Sequence, residues 1–234
     1  MNLLALDTSS DACSAAVWTP NGCFSRFELT PKAHTQLILP MIEEVLLEAG
    51  LALKQLEAIA FGCGPGAFTG VRIATGVAQG LALAADKRLI PISTLAAMAQ
   101  QAYQTHHAEQ VLVALDARMG EVYWGSYGLI DGRMQPLAAE CVTAPDRAPL
   151  PSPISSNWVG VGNGWHHYAT PLRSRFADCL KDIQTDYWPN ATYMAQLAIY
   201  AHQQGQWVDP ELVEPVYLRN KVALTTLERA ALKQ

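Results

Sequence analysis

Charged residues are scarce in this 234-residue chain, and a basic surplus is missing. Only 16% of the residues are charged, and 16 lysines and arginines stand against 21 aspartates and glutamates, for a formal net charge of −5. A protein that binds nucleic acid by itself usually carries a basic surplus or a basic stripe. The composition therefore disfavours a chain that holds RNA or DNA unaided.

Patterns for metal binding, disulfides, export and membrane insertion are absent from the sequence as well. The five cysteines form no Cys-x-x-Cys pair, and the adjacent histidines at 106–107 and 166–167 point their side chains apart in a strand or a helix. The longest apolar run, residues 73–85, is shorter than the ~20 residues of a membrane span. The first residues carry no basic region of a signal peptide. We expect reduced thiols, no metal site, no membrane contact and a cytoplasmic location.

The first half of the chain opens with strand patterns and then alternates between strands and helices. Three apolar runs, the last two joined by an Asn-Gly turn, predict antiparallel strands over 3–7, 12–18 and 23–29. Further elements are predicted over 36–49 (helix), 57–61 (strand), 68–85 (helix), 89–92 (strand) and 93–104 (helix). This order predicts a mixed α/β layer architecture.

The opening pattern recurs in the second half of the chain. Residues 111–116 (VLVALD) resemble residues 3–7 (LLALD), and Asp116 stands where Asp7 stood. A second hairpin pattern follows, which predicts two related halves. The remaining predicted elements are strands over 121–127, 134–142 and 157–162, a proline-rich loop over 145–153 and a helix over 192–204.

A glycine-rich turn precedes the predicted helix 68–85. Residues 62–67 (GCGPGA) fit the G-x-G-x-x-G/A pattern of dinucleotide-binding loops, but Pro65 removes a backbone donor, and Asp86 precedes the strand that should carry the acidic residue. The helix N-terminus can also hold an anion or face a partner, or the glycines can serve only the backbone geometry of a tight turn. These readings stay open. The residues singled out here are Gly62, Gly64, Pro65, Gly66, Phe68 and Thr69.

Small residues recur every four positions along the same predicted helix. The two series are Gly70, Ala74, Ala78 and Ala82, and Gly76, Gly80 and Ala84. Glycine inside a helix costs ~1 kcal/mol relative to alanine, so its repeated use indicates a packing reason. One face must pack on the chain's own sheet, and the other could meet a neighbouring helix or a second protein.

The first strand ends in a carboxylate that is followed by three hydroxyl residues. Such a turn can hold a metal-bound phosphate, or it can be an Asx or Ser/Thr turn that caps the hairpin. In the second half the equivalent carboxylate is followed by a cation instead of hydroxyls. The candidate residues of this nucleotide- or phosphate-like turn are Asp7, Thr8, Ser9, Ser10, Asp116 and Arg118.

Several strings of residues resemble those of the TsaB (YeaZ) family of tRNA threonylcarbamoyladenosine biosynthesis proteins. They are Leu6-Asp7-Thr8-Ser9, His34-Thr35-Gln36, residues 64–73 (GPGAFTGVRI), residues 116–124 (DARMGEVYW) and residues 214–220 (EPVYLRN). The string at 64–73 is the most specific of these. Ala67 departs from the family, which often has serine there.

The resemblance implies an actin/Hsp70-like (ASKHA) fold of two ribonuclease-H-like lobes. We accordingly divide the chain into a first lobe (1–105), a smaller second lobe (106–190) and a C-terminal helix and tail (191–234) that returns toward the first lobe. Members of this family are understood as non-catalytic partners that dimerise with TsaD. TsaD transfers the threonylcarbamoyl group supplied by TsaC to the adenosine next to the anticodon, and TsaE is the associated ATPase.

The resemblance further implies no cofactor of the chain's own, with ATP or ADP at an interface of the complex, and only indirect contact with tRNA. A homodimer is compatible with the chain when it is alone. Together with the small-residue series, the resemblance predicts a partner interface on helices 36–49 and 68–85. Its expected members are Leu37, Met41, Gly70, Arg72, Ala74, Val77, Ala78, Gly80 and Leu81.

Two other classes of function stay open at this point. The turn at Asp7–Ser10 is the only support for a stand-alone ATPase or phosphotransferase of the actin-like superfamily, or for a glycoprotease. The glycine-rich turn is the only support for a dinucleotide-binding module. No catalytic residue is predicted in this chain.

Overall fold

Two β-sheets form the frame of the protein, whose computed structural model describes residues 1–152 and 154–219. In the first sheet the strand order is β3-β2-β1-β4-β5. Strand β2 runs antiparallel to β1 and β3, whereas β4 and β5 run parallel to β1. These strands are β1 (Leu3–Asp7), β2 (Ala12–Thr19), β3 (Gly22–Leu29), β4 (Ala58–Gly64) and β5 (Arg88–Ser93).

The second sheet repeats the first in order and direction. Its order is β8-β7-β6-β10-β11, with β7 antiparallel to β6 and β8, and β10 and β11 parallel to β6. A short extra strand, β9, pairs with β7. The strands are β6 (Gln110–Arg118), β7 (Glu121–Ile130), β8 (Arg133–Pro136), β9 (Cys141–Thr143), β10 (Trp158–Val161) and β11 (Leu180–Gln184). The duplication confirms the predicted two-lobed actin/Hsp70-like fold.

The described residues form six α-helices, which pack against the two sheets. They are α1 (His34–Glu48), α2 (Phe68–Ala85), α3 (Thr94–His106), α4 (Gly164–His167), α5 (Ala169–Arg175) and α6 (Ala191–Gln203). Helix α2 begins and ends where the sequence predicted. Ser93 caps α3, because its hydroxyl accepts a hydrogen bond of 3.2 Å from the Ala96 N–H.

The last described helix packs on the first lobe. Residues Met194, Ala195 and Ala198 of α6 are fully buried in a cluster with Leu3 and Ala5 of β1. Helix α6 therefore returns to the first sheet after the chain has built the second one. The tail over 220–234 lies outside the described residues, and the lobe boundaries at 105 and 190 stay predictions.

Helix α2 is a core helix along one of its faces. By length and composition it is the one described helix that could cross a membrane. It packs instead on β4 and β1, with Ala74, Ala78 and Ala82 fully buried. Met41 and Gly70 are buried as well. The expectation that Met41, Gly70, Ala74 and Ala78 form a partner-facing surface is corrected here, because the chain's own core covers these residues.

Candidate functional site

The glycine-rich turn and the turn after β1 form one packed unit. The Ala67 N–H donates to the Ser9 carbonyl at 2.7 Å, and the Thr8 hydroxyl donates to the Gly70 carbonyl at 2.7 Å. A Cβ on Gly66 would overlap Ser9, and a Cβ on Gly70 would overlap the Thr8 carbonyl oxygen. Glycine is therefore needed at positions 66 and 70 because two backbones approach closely there. This packing accounts for both glycines, and a bound dinucleotide is not required to explain them.

The start of the glycine-rich turn is enclosed in the same way. Gly62 lies against the carboxyl of Asp7, and a Cβ there would overlap that group. The Gly64–Pro65 peptide is cis, and the Pro65 carbonyl accepts a hydrogen bond of 2.7 Å from the Thr94 hydroxyl of α3. Residues 62–65 are thus buried and fixed by contacts on several sides, whereas Gly66, Ala67 and Phe68 line a cleft.

Asp7 is a buried carboxyl that caps a local turn. Its Oδ1 accepts hydrogen bonds from the Ser9 N–H at 3.1 Å and from the Ser9 hydroxyl at 3.0 Å. Its Oδ2 has no partner among the described residues. Burial raises the pKa of Asp7 from 3.8 to about 7, because a charge is unstable away from water. This geometry favours the Asx turn over the phosphate site proposed from the sequence.

The equivalent carboxylate of the second lobe is paired within the chain. Oδ1 of Asp116 accepts from the Arg118 N–H at 2.8 Å and from the Tyr168 hydroxyl at 2.9 Å. Its Oδ2 lies 3.1 Å from the Arg118 guanidinium, and Asn163 accepts the Asp116 N–H. Asp116 and Arg118, both candidate residues from the sequence, therefore form an ion pair with each other.

A cleft of about 310 Å³ opens between the two lobes. Its walls include Ser9 and Ser10 from the first lobe and Asp116 and Arg118 from the second. The structure thus brings four of the six candidate turn residues to one cleft, whereas Asp7 and Thr8 lie behind its wall. Among the described residues, no group of three or more His, Cys, Asp or Glu side chains could hold a metal ion.

A row of exposed residues runs along α2 on the face turned away from the sheet. We call this row the α2 stripe, and it consists of Phe68, Arg72, Gly76, Gly80 and Ala84. A Cβ on Gly76 or Gly80 would meet nothing within 4 Å among the described residues. Of the predicted interface residues, Arg72 and Gly80 are exposed on this stripe, while Leu37, Val77 and Leu81 are partly buried against the core.

A buried carboxylate that sequence reasoning missed joins the two lobes. Glu140 accepts hydrogen bonds from the Ser93 hydroxyl, at the end of β5, and from the Tyr127 hydroxyl on β7. Burial raises the pKa of Glu140, although both hydrogen bonds lower it in part. No motif surrounds Glu140 in the sequence, so only the fold could reveal this contact.

The fold and the cleft define a two-lobed α/β protein of the actin/Hsp70-like class. In this protein the carboxyl of Asp7, at the end of the first strand, is buried. A model of the family TsaD, tRNA N6-adenosine threonylcarbamoyltransferase, matches residues 28–224. The tRNA threonylcarbamoyladenosine biosynthesis protein TsaB of Escherichia coli (strain K12) is 43% identical over 229 residues, which cover 95% of this chain and 96% of that protein. The protein of the same name from Haemophilus influenzae (strain ATCC 51907 / DSM 11121 / KW20 / Rd) is 42% identical, with 95% of each chain covered.

Solved structures agree with these relatives. YeaZ from Pseudomonas aeruginosa is 44% identical and matches with a TM-score of 0.86 over 93% of this chain and 99% of that chain. A second structure from Pseudomonas aeruginosa, described as similar to peptidase YEAZ, has a TM-score of 0.87 at the same identity and coverage. By sequence and by fold, the chain belongs to the TsaB family.

Proposed function

We propose that this chain is a non-catalytic subunit of the machinery that makes threonylcarbamoyladenosine in tRNA. It dimerises with TsaD and makes TsaD competent to transfer the threonylcarbamoyl group to the adenosine next to the anticodon. The TsaB relatives are named as biosynthesis proteins of this nucleoside, and the matching family model is that of the transferase. The chain is therefore a relative of the enzyme that it is proposed to serve.

The observation that carries the proposed pairing is the α2 stripe. Each glycine in a helix interior costs ~1 kcal/mol relative to alanine, and nothing in the described residues packs on Gly76 or Gly80. A helix of a partner that approaches closely would use these open positions. Since related chains can pair through equivalent surfaces, we expect the corresponding helix of TsaD to lie on the α2 stripe.

Large apolar side chains that are exposed on helices α1 and α2 support this location of the TsaD interface. Leu39 and Leu47 of α1 are 48% and 83% exposed, and Leu83 of α2 is 59% exposed. Exposed apolar groups mark a site of protein contact when they form one patch, and the proposed pairing requires that of these three leucines. A specific interface buries on the order of 1,200–2,000 Å² in total, an area that two helices can supply only together with their flanking residues.

Two features of the candidate carboxylates support a non-catalytic role. A carboxylate that acts through a metal ion on a phosphate must reach that ion, yet Asp7 is fully buried and lies behind the wall of the cleft. Asp116 is already paired with Arg118. The alternative of a stand-alone ATPase, phosphotransferase or glycoprotease requires turnover by the purified chain. Magnesium-dependent phosphate release or peptide cleavage by the chain alone would establish it.

The other components of the proposal follow from the same subunit role. TsaE acts as the associated ATPase, the TsaC product supplies the transferred group, and ATP or ADP binds at an interface of the complex. The net charge of −5 fits a subunit that leaves tRNA mainly to its partners. The place of action is the cytoplasm, and a homodimer is compatible with the chain when TsaD is absent.

Gly80→Leu is the variant that tests the pairing most directly. Because the space around Gly80 is open, the variant should fold normally while its side chain blocks the partner helix. We expect its affinity for the organism's TsaD, measured by calorimetry or light scattering, to fall at least roughly tenfold.

The matched control is Gln104→Leu, which places the same side chain at an exposed position of α3, away from the α2 stripe. The control should bind TsaD as the unmodified chain does. If Gly80→Leu binds TsaD with unchanged affinity, the partner does not use the α2 stripe. If the unmodified chain forms no complex at all, the subunit proposal itself fails.

A further inference from the structure

The described chain ends in a segment that lines the cleft between the two lobes. We call residues 216–219 the strap. Its first residue is joined to the first lobe through the backbone, because the Val216 N–H donates to the Cys63 carbonyl at the end of β4 at 2.8 Å. A Cβ on Gly64 would lie 2.8 Å from the Val216 carbonyl oxygen. Gly64 therefore leaves room for the strap.

The second residue of the strap lies on the N-terminal turn of α2. The Tyr217 hydroxyl accepts a hydrogen bond of 2.8 Å from Nε of Arg72. The Tyr217 ring lies 5.6 Å from the Phe68 ring, and the Arg72 guanidinium lies 3.7 Å above the Phe68 ring. This contact again belongs to the first lobe.

The last residue of the strap is held by the second lobe. The Arg219 guanidinium donates to the carboxylate of Glu121 and, at 3.3 Å, to the Arg118 carbonyl, in the turn between β6 and β7. The Arg219 side chain is 16% exposed. Hydrogen bonds between charged groups are stronger than those between neutral groups, and partial burial limits their screening by solvent.

These contacts fix the strap to the first lobe at Val216 and Tyr217 and to the second lobe at Arg219. We propose that the strap is a clasp that holds the two lobes closed around the cleft, and that release of Arg219 lets the lobes open. Direct contact across the same cleft includes the hydrogen bond of 3.2 Å from the Tyr123 hydroxyl to the Gly66 carbonyl. The strap is a second connection between the lobes. This connection breaks when a few residues detach locally from one lobe.

Hydrogen exchange of the full chain, followed by mass spectrometry, tests the clasp with Arg219→Ala. We expect exchange to rise roughly tenfold in two regions that line the cleft and are not among the hydrogen-bond partners of the Arg219 side chain, namely residues 9–11 and the segment around Asn163. Small-angle scattering of the same variant should show a larger radius of gyration.

Arg88→Ala is the matched control. It removes an ion pair between Arg88 and Asp209, which ties the segment before the strap to the first lobe only, and it should leave exchange in the cleft unchanged. Glu121→Gln weakens the clasp from the second lobe without altering the strap. It should raise hydrogen exchange in the same two regions, by a smaller factor than Arg219→Ala. Faster exchange confined to residues 213–219, or no change with either clasp variant, would overturn the proposal.

Discussion

Replacing Asp7 by asparagine is expected to stabilise the protein at neutral and alkaline pH, although the residue ends the first strand of the fold. The Asp7 carboxyl is fully buried, and its Oδ2 has no hydrogen-bond partner among the described residues. Asparagine has nearly the same shape and stays neutral at every pH. Its amide oxygen can still accept the hydrogen bonds that Ser9 donates to Oδ1.

The size of the effect follows from the pKa of Asp7, which burial raises from 3.8 to about 7 in the folded protein. The unfolded chain loses this proton at the ordinary pKa, so the folded state is favoured fully below pH 3.8 and loses that advantage as the pH rises through about 7. Three units of pKa at 1.36 kcal/mol each correspond to about 4 kcal/mol. Roughly 3 kcal/mol of this difference should develop between about pH 5 and about pH 8.

Urea unfolding of the two proteins at those two pH values measures the difference in the free energy of unfolding. Burial raises the pKa of Glu140 too, so the pH dependence of the wild type alone would mix two groups. The difference between Asp7→Asn and the wild type isolates Asp7. A variant that is less stable than the wild type at about pH 8 would refute the reasoning, because Asp7 would then be a charged group that a partner or a bound cation stabilises.

Three further substitutions test the packing around α2 and α3. Gly70→Ala should lower the free energy of unfolding by about 3 kcal/mol, because its Cβ would overlap the Thr8 carbonyl; an unchanged urea midpoint would contradict the packed turn. Gly76→Ala should raise it by about 1 kcal/mol, since the space is open, and a loss of stability would show that the chain itself covers this position. Ser93→Ala should cost about 1–2 kcal/mol in thermal unfolding, because it removes the cap of α3 and a donor to Glu140; a smaller loss would mean that water replaces both bonds.

Local patterns were sufficient for the long elements of the fold. Helix α2 has the predicted bounds, Phe68–Ala85, and the Asn-Gly turn joins β2 to β3. The repeat of LLALD as VLVALD places β1 and β6 at equivalent positions of the two sheets. The hydrophobic period of an element and the residue types of a turn depend on a few neighbouring residues. Both can therefore be recognised in the sequence before the fold is known.

Short elements of the second lobe escaped prediction for the opposite reason. Helix α4 has four residues and α5 has seven, too few to show a helical period. Trp165 of α4 packs on Trp124 and Phe176, with ring centroids 5.8 and 5.9 Å apart. The prediction of one strand over 134–142 was also wrong, since β8 and β9 are separate strands on opposite ends of β7.

The partner-facing side of α2 shows where sequence reasoning reaches its limit. Two series of small residues were visible in the sequence, but both have the same spacing and either could face the sheet. The fold buries Ala74 and Ala78 and leaves Gly76 and Gly80 open. The sequence-based choice of Ala78 as an interface residue was therefore wrong, while Gly80 stays a prediction that binding experiments can test.

By itself, the sequence determined the α/β class, the duplication of the sheet and the membership in a family, because each is carried by contiguous strings of residues. Only the tertiary structure decided the state of Asp7, whose pKa depends on burial by β4 and α6, far away in the chain. It also decided that Arg219 contacts Glu121, 98 residues earlier. Burial and long-range pairing arise from residues that are distant in sequence, and a local pattern holds no record of them.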